Sequence, residues 1–103
     1  MTSNLQRPKL GNYVKIEFDE AKRLKTLEER GLDFLDCPTL FAGGYLEYED
    51  NRFDYGEARF IAFGSLDNRL VAVVWTPRGE IRRIISMRHV HDDELEARKR
   101  TLD

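Results

Sequence analysis

The chain predicts an α+β fold: a curved antiparallel sheet with two helices ahead of it and one behind, in the order β-α-α-β-β-β-β-α. Three observations carry this. Residues 59–88 read RFIAFGSLDNRLVAVVWTPRGEIRRIISMR, short apolar runs rich in Val, Ile and Phe joined by brief turns, the pattern of an antiparallel meander. Residues 20–30 lie between Asp19 and Gly31, residue types that start and stop helices. Residues 92–102 begin acidic and end basic, as a terminal helix does when its charges complement its dipole.

Taken in order, residues 1–12 are polar, carry Pro8 and Gly11, and read as a loose arm; residues 13–103 form one domain. Over residues 13–18, Val14, Ile16 and Phe18 alternate with Tyr13, Lys15 and Glu17, a half-buried strand. The helix of residues 20–30 carries Ala21, Leu24 and Leu27 as a narrow apolar stripe. A short second helix falls within residues 33–41, with Asp36 as N-cap because Pro38 fits only the first turn. Leu35, Leu40 and Phe41 should face the core there. Gly43-Gly44 breaks the chain, residues 45–49 form a weak strand, and residues 49–56 a polar loop. In the meander, Ser65-Leu66-Asp67-Asn68 and Thr76-Pro77-Arg78-Gly79 are the expected turns. The last helix has Leu95 and Leu102 seven apart and a thin apolar face.

Composition limits the function. With 17 basic and 19 acidic residues among 103, the net charge is −2, unlike a protein that coats nucleic acid. The charges are unevenly placed: residues 78–88 hold four arginines against Glu80 alone, so a local basic groove fits the pattern. Cys37 is the only cysteine, which excludes an internal disulfide and suits a reducing compartment. There is no apolar leader and no run of membrane-spanning length, so a cytoplasmic location is expected.

Five segments in order resemble the BrnT toxins of bacterial type II toxin–antitoxin systems, over about residues 14–91. Phe18-Asp19-Glu20-Ala21-Lys22 is similar to the family's F-x-W/F-D-x-x-K opening, and Gly31-Leu32-Asp33-Phe34 to its G-V-S/D-F step. Tyr55-Gly56-Glu57-Ala58-Arg59-Phe60 is similar to G-E-x-R-F, and Val73-Val74-Trp75-Thr76-Pro77-Arg78-Gly79 to V-V-Y/W-T-x-R-G. Arg83-Ile84-Ile85-Ser86-Met87-Arg88 resembles R-I-I-S-A-R. The resemblance implies a small RelE-like fold and a metal-independent endoribonuclease that cuts RNA and halts growth. It also implies a BrnA-like ribbon-helix-helix antitoxin that blocks the toxin and carries it to operator DNA. The family's helix ends N-x-x-K-H-G; here Thr26, Glu29 and Arg30 stand at the N, K and H positions ahead of the matching Gly31, and Arg30 replaces an imidazole with a group that stays protonated.

Metal-free RNA cleavage by the substrate's own 2′-hydroxyl needs a base, cationic donors on the phosphate, and an acid for the leaving oxygen. Glu57 is the candidate base, and Arg59, Arg83 and Arg88 with Ser86 are the phosphate donors, completing the candidate catalytic set. Lys22, Arg30, Trp75 and Arg82 are candidate RNA contacts, Trp75 by stacking; Lys22, Arg30 or one of the histidines, His89 and His91, is the candidate acid, and no cofactor is called for. Strict alternation puts Arg82, Ile84, Ser86 and Arg88 on one strand face and Ile81, Arg83, Ile85 and Met87 on the other, so Arg83 and Arg88 share a site only if a bulge intervenes. Plainer roles stand beside these. Glu57–Arg59 reads equally as a surface ion pair, Arg82 or Arg83 as partners of carboxylates in residues 45–49, Ser86 as a small filler and Trp75 as core. His89 and His91 read as a strand end rather than a metal site, and Cys37 as a small buried residue. The alternative to a nuclease is a binding module of the same fold that has lost catalysis and joins a DNA-binding partner as corepressor.

Overall fold

The computed structural model describes residues 14–102; the expected N-terminal arm, residues 1–12, lies outside the described residues. The elements are β1 (Lys15–Glu17), α1 (Glu20–Arg30), a 3₁₀ turn (Phe34–Asp36), α2 (Cys37–Ala42), β2 (Tyr45–Glu49), β3 (Phe60–Leu66), β4 (Arg69–Arg78), β5 (Ile81–His89) and α3 (Asp92–Leu102). They form the expected α+β arrangement around a five-stranded sheet ordered β1-β5-β4-β3-β2. The sheet is mixed rather than wholly antiparallel, because β1 runs parallel to β5, from Lys15 opposite Ile81 to Glu17 opposite Arg83. Parallel neighbours need a long connection, and here most of the chain lies between them.

The helix signals act locally as their chemistry requires. Asp19 caps α1 by accepting a hydrogen bond from the Ala21 N–H at 2.9 Å, and Gly31 ends it at φ 68°. The apolar stripe does not become core: no residue of α1 is buried, and Leu24 stays 51% exposed. Polar ties hold the helix instead. Arg23 Nε donates to Asp33 at 2.8 Å, and Arg30 Nη1 donates to the Met87 carbonyl of β5 at 2.7 Å. In α2, Leu40 and Phe41 are buried as expected, together with Phe34 and Cys37, but Leu35 points outward at 54% exposed. The 3₁₀ turn sets that orientation: Asp33 accepts from the Leu35 N–H and winds the chain so that Phe34, not Leu35, faces the sheet.

Both meander turns are tighter than the sequence suggests. Asp67 and Asn68, at φ 51° and 64°, make a two-residue hairpin closed by Leu66 opposite Arg69. Asp and Asn accept positive φ more readily than other side chains, and such mirror-image turns match strand twist. The second turn is Gly79-Glu80, so Thr76, Pro77 and Arg78 belong to β4 rather than to a turn. Proline fits there because β3 begins at Phe60 opposite Trp75, leaving the end of β4 with a neighbour on one side only.

The two sheet faces are buried differently. One packs against Leu32, Phe34, Cys37, Leu40 and Phe41, with Ala62, Val71, Val73, Trp75, Ile84 and Met87 contributed by the strands. Gly64 permits this contact: a Cβ there would meet Leu40 Cγ at 2.8 Å. The other face carries a small cluster, Ile61, Phe63 and Ala72, capped by Val90 and by Leu95 of α3. Beyond α3 this second face is open, and the site lies there.

Candidate functional site

An irregularity in β5 builds the site. Val74 pairs with Ser86 and Trp75 with Ile84, so Ile85 is an extra residue, a β-bulge. Ile84 and Met87, three apart, therefore both sink into the first face. Arg83, Ser86 and Arg88 stand together on the second, opposite Thr76, Val74 and Ala72. This corrects strict alternation, which separates Arg83 from Ser86 and Arg88 and places Arg82 with them. Arg82 is on the first face, its guanidinium 4.3 Å above the Trp75 ring and 4.4 Å above Phe41, with Nη1 donating to the Tyr45 hydroxyl at 3.3 Å.

Glu57 is the hub of the second face. Arg78 Nη1 donates to Glu57 Oε1 at 2.6 Å, and Arg59 Nε lies 3.8 Å from Oε2. The Arg78 hydrogen bond, followed by the charges of Arg78, Arg59 and Arg83, holds the Glu57 carboxyl below the usual carboxylate range. Arg83 Nη1 reaches Glu17 Oε2 at 2.9 Å across the β1–β5 pairing. Arg88 grips Glu94 of α3 with both Nη1 and Nη2, at 3.1 and 2.6 Å, and holds that carboxyl below the usual carboxylate range too.

Arg59 is the exception among these guanidinium groups. Its Nε is buried and makes no hydrogen bond, while its Cζ lies 4.0 Å over the Tyr55 ring. A buried N–H donor without an acceptor carries a desolvation cost of about 1–3 kcal/mol. Four guanidinium groups, Arg59, Arg78, Arg83 and Arg88, face three carboxylates, Glu17, Glu57 and Glu94. The face keeps an excess of positive charge on a weakly acidic protein.

The structure thus brings Glu57, Arg59, Arg83, Ser86 and Arg88 onto one face and leaves the candidate RNA contacts elsewhere. Trp75 is buried on the first face, tilted against Phe60 at 5.0 Å and donating Nε1 to Glu47 at 2.8 Å. Lys22 is exposed on α1, and Arg30 is committed to the Met87 carbonyl. His89 sits 3.0 Å from the Arg30 carbonyl and ties strand end to helix end; among the described residues no three potential metal ligands gather. Burial pushes the Cys37 thiol up to about 12.

Sequence reasoning missed Arg78, Glu17 and Glu94. It also missed Asp50, which accepts from the Arg52 side chain at 2.8 and 2.9 Å and from the Tyr55 hydroxyl at 3.1 Å and so pins the loop that delivers Glu57 and Arg59. One signal was available: the polar positions 83, 86 and 88 are spaced three and two, which no regular strand allows on one face.

Fold and site together define a small α+β protein that presents clustered guanidinium groups, gathered about one carboxylate, on an open sheet face. Residues 18–94 match the family of ribonuclease toxins, BrnT, of type II toxin–antitoxin systems, and the chain belongs to that family. An antitoxin partner follows from that membership. No curated protein matches the chain. Among the described residues no helix is long and apolar enough to cross a membrane.

Proposed function

We propose that the chain is a metal-independent endoribonuclease whose reacting phosphate sits among Arg59, Arg78 and Arg83 beside Glu57. The observation that carries this is the Glu57 carboxylate held between Arg78 at 2.6 Å and Arg59 at 3.8 Å, on the face where Arg83 also stands. A phosphate entering this cluster competes with Glu57 for Arg78. Losing that hydrogen bond raises the proton affinity of Glu57 as the substrate arrives, which suits a base that must accept the 2′-hydroxyl proton. The guanidinium forks then hold the phosphorane oxygens as charge builds on them, the P–O5′ bond breaks to leave a 2′,3′-cyclic phosphate, and the departing 5′-oxygen takes its proton from water on this open face. Arg88 and Ser86, farther along β5, take the neighbouring backbone. In the cell this activity arrests growth until a BrnA-like ribbon-helix-helix antitoxin covers the face, and only that antitoxin brings the complex to operator DNA.

A specific observation favours a second reading, a catalytically weak module retained as corepressor. Arg78, Arg83 and Arg88 each have a carboxylate within 2.9 Å, and Arg30, where the family has an imidazole, is used as a helix tie. These pairs are partly exposed, and ion pairs of that kind contribute about 0–1 kcal/mol, little enough for RNA phosphates to displace. The test is cleavage of single-stranded RNA by purified protein in chelator, with Arg83→Ala and Glu57→Gln beside it. Cleavage that falls about 100-fold or more in both variants supports the nuclease. Intact RNA with the wild type, together with harmless induced expression, overturns it in favour of the corepressor.

A further inference from the structure

The loop of residues 50–59 forms an open cleft of about 550 Å³, within the span of small-ligand sites, lined among others by Arg52, Phe53, Asp54, Tyr55, Glu57 and Arg59. Two of these, Glu57 and Arg59, also belong to the reaction site. Phe53 is 68% exposed, the most exposed large apolar side chain among the described residues. It is not loosely held: its ring meets Tyr55 edge-on, centroids 5.8 Å apart at 76°, and Tyr55 is fixed by its hydroxyl bond to buried Asp50 and by the Arg59 guanidinium on its face. Asp54 accepts from the Gly56 N–H, and the Asp50 N–H donates to the Arg59 carbonyl, so the loop is closed on itself.

We infer that this cleft is a nucleobase subsite, in which one base of single-stranded RNA stacks on Phe53 beside Tyr55 while its phosphate lies on Arg59. The inference deepens the nuclease reading and rests on it for the identity of the ligand. An aromatic held out in water, two residues from a ring already stacked by arginine, is the arrangement that holds unpaired bases. The lining charges sort the two halves of a nucleotide. Glu49 and Asp54 line the cleft, repel phosphate and can accept from base N–H groups, while Asp50 stays buried; the excess of guanidinium lies next door.

The test uses a 2′-O-methyl single-stranded oligonucleotide, which binds but cannot be cleaved, and the same strand with abasic sites. Phe53→Ala weakens binding of the first by about 5- to 150-fold, and Phe53→Trp retains it with its added emission quenched. On the abasic strand, wild type and Phe53→Ala bind alike. Unchanged binding by Phe53→Ala, an equal loss on the abasic strand, or a loss confined to antitoxin binding each overturns the subsite. Phe53-dependent binding without RNA cleavage by the wild type defeats the nuclease and keeps the subsite; cleavage indifferent to Phe53 does the reverse. Melting temperatures of both variants match the wild type, since the side chain is exposed.

Discussion

Asp50→Ala is the most informative single change. Its side chain is 1% exposed, yet it accepts four hydrogen bonds: from the Arg52 N–H, Nε and Nη2, and from the Tyr55 hydroxyl. Arg52, by hydrogen bonding first, pulls the Asp50 carboxyl from 3.8 to about 2. That difference sets a ceiling of about 2 kcal/mol on what ionised Asp50 contributes through this group. Arg52 is 62% exposed, so solvent screening brings the figure to about 1–2 kcal/mol. For a chain of this size the loss lowers Tm by about 4–16 °C near neutral pH. The sign with pH is fixed by the direction of the shift. The folded value lies below the unfolded one, so the contribution is complete above about 4 and disappears as pH falls towards 2. Wild type and Asp50→Ala, melted by circular dichroism from pH 7 to pH 2.5, should therefore converge in acid. Equal Tm values at pH 7, or a gap that persists undiminished at pH 2.5, refute the assignment of Asp50 as the loop's charged anchor.

Other changes probe the sheet and the face. Gly64→Ala drives a Cβ against Leu40 Cγ and costs about 1–3 kcal/mol in urea titrations, partly recovered by Leu40→Val in the double variant. Arg83→Ala lowers the slope of log binding constant against log salt for single-stranded RNA by about one phosphate contact, whereas Glu17→Gln frees Arg83 and tightens binding at low salt. Arg30→Ala removes the donor to the Met87 carbonyl and costs about 1–3 kcal/mol, measured by chemical denaturation. Cys37, buried and with its thiol pushed up to about 12, resists thiol reagents at pH 8 until the protein is unfolded by denaturant.

What could be read in the sequence was what adjacent residues decide. Asp19 and Gly31 bound α1 because capping involves only the next few backbone groups; α2 was located by Pro38 in its first turn, although Asp36 makes no side-chain cap there. The strands of the meander followed from their apolar runs. What could not be read depends on partners distant in sequence. Pro77 resembles a turn residue until β4 is known to outlast β3, and Leu24 resembles a core residue until α1 is seen held by Arg23 and Arg30 instead. The site shows the same division. Glu57, Arg59, Arg83, Ser86 and Arg88 could be named as candidates one by one, but their common face depends on the bulge at Ile85, and two adjacent isoleucines look like ordinary strand. Trp75 could be read as stacking platform or as core, and the sheet decides: its ring is interior, while Phe53 in the polar loop stays outside.

The edge formed by β1 and β5 joins segments 66 residues apart, through Glu17 and Arg83. During synthesis the first strand waits without a neighbour until the last strand leaves the ribosome, whereas the hairpins between β3, β4 and β5 assemble from consecutive chain. Closing that distant pair carries the largest loop entropy in the sheet, which makes it a late step in folding. Ordering of the cationic face is thereby coupled to completion of the polypeptide: a nascent fragment ending before residue 81 holds Glu57, Arg59 and Arg78 but lacks the strand and the Arg83 that pair with β1 and Glu17.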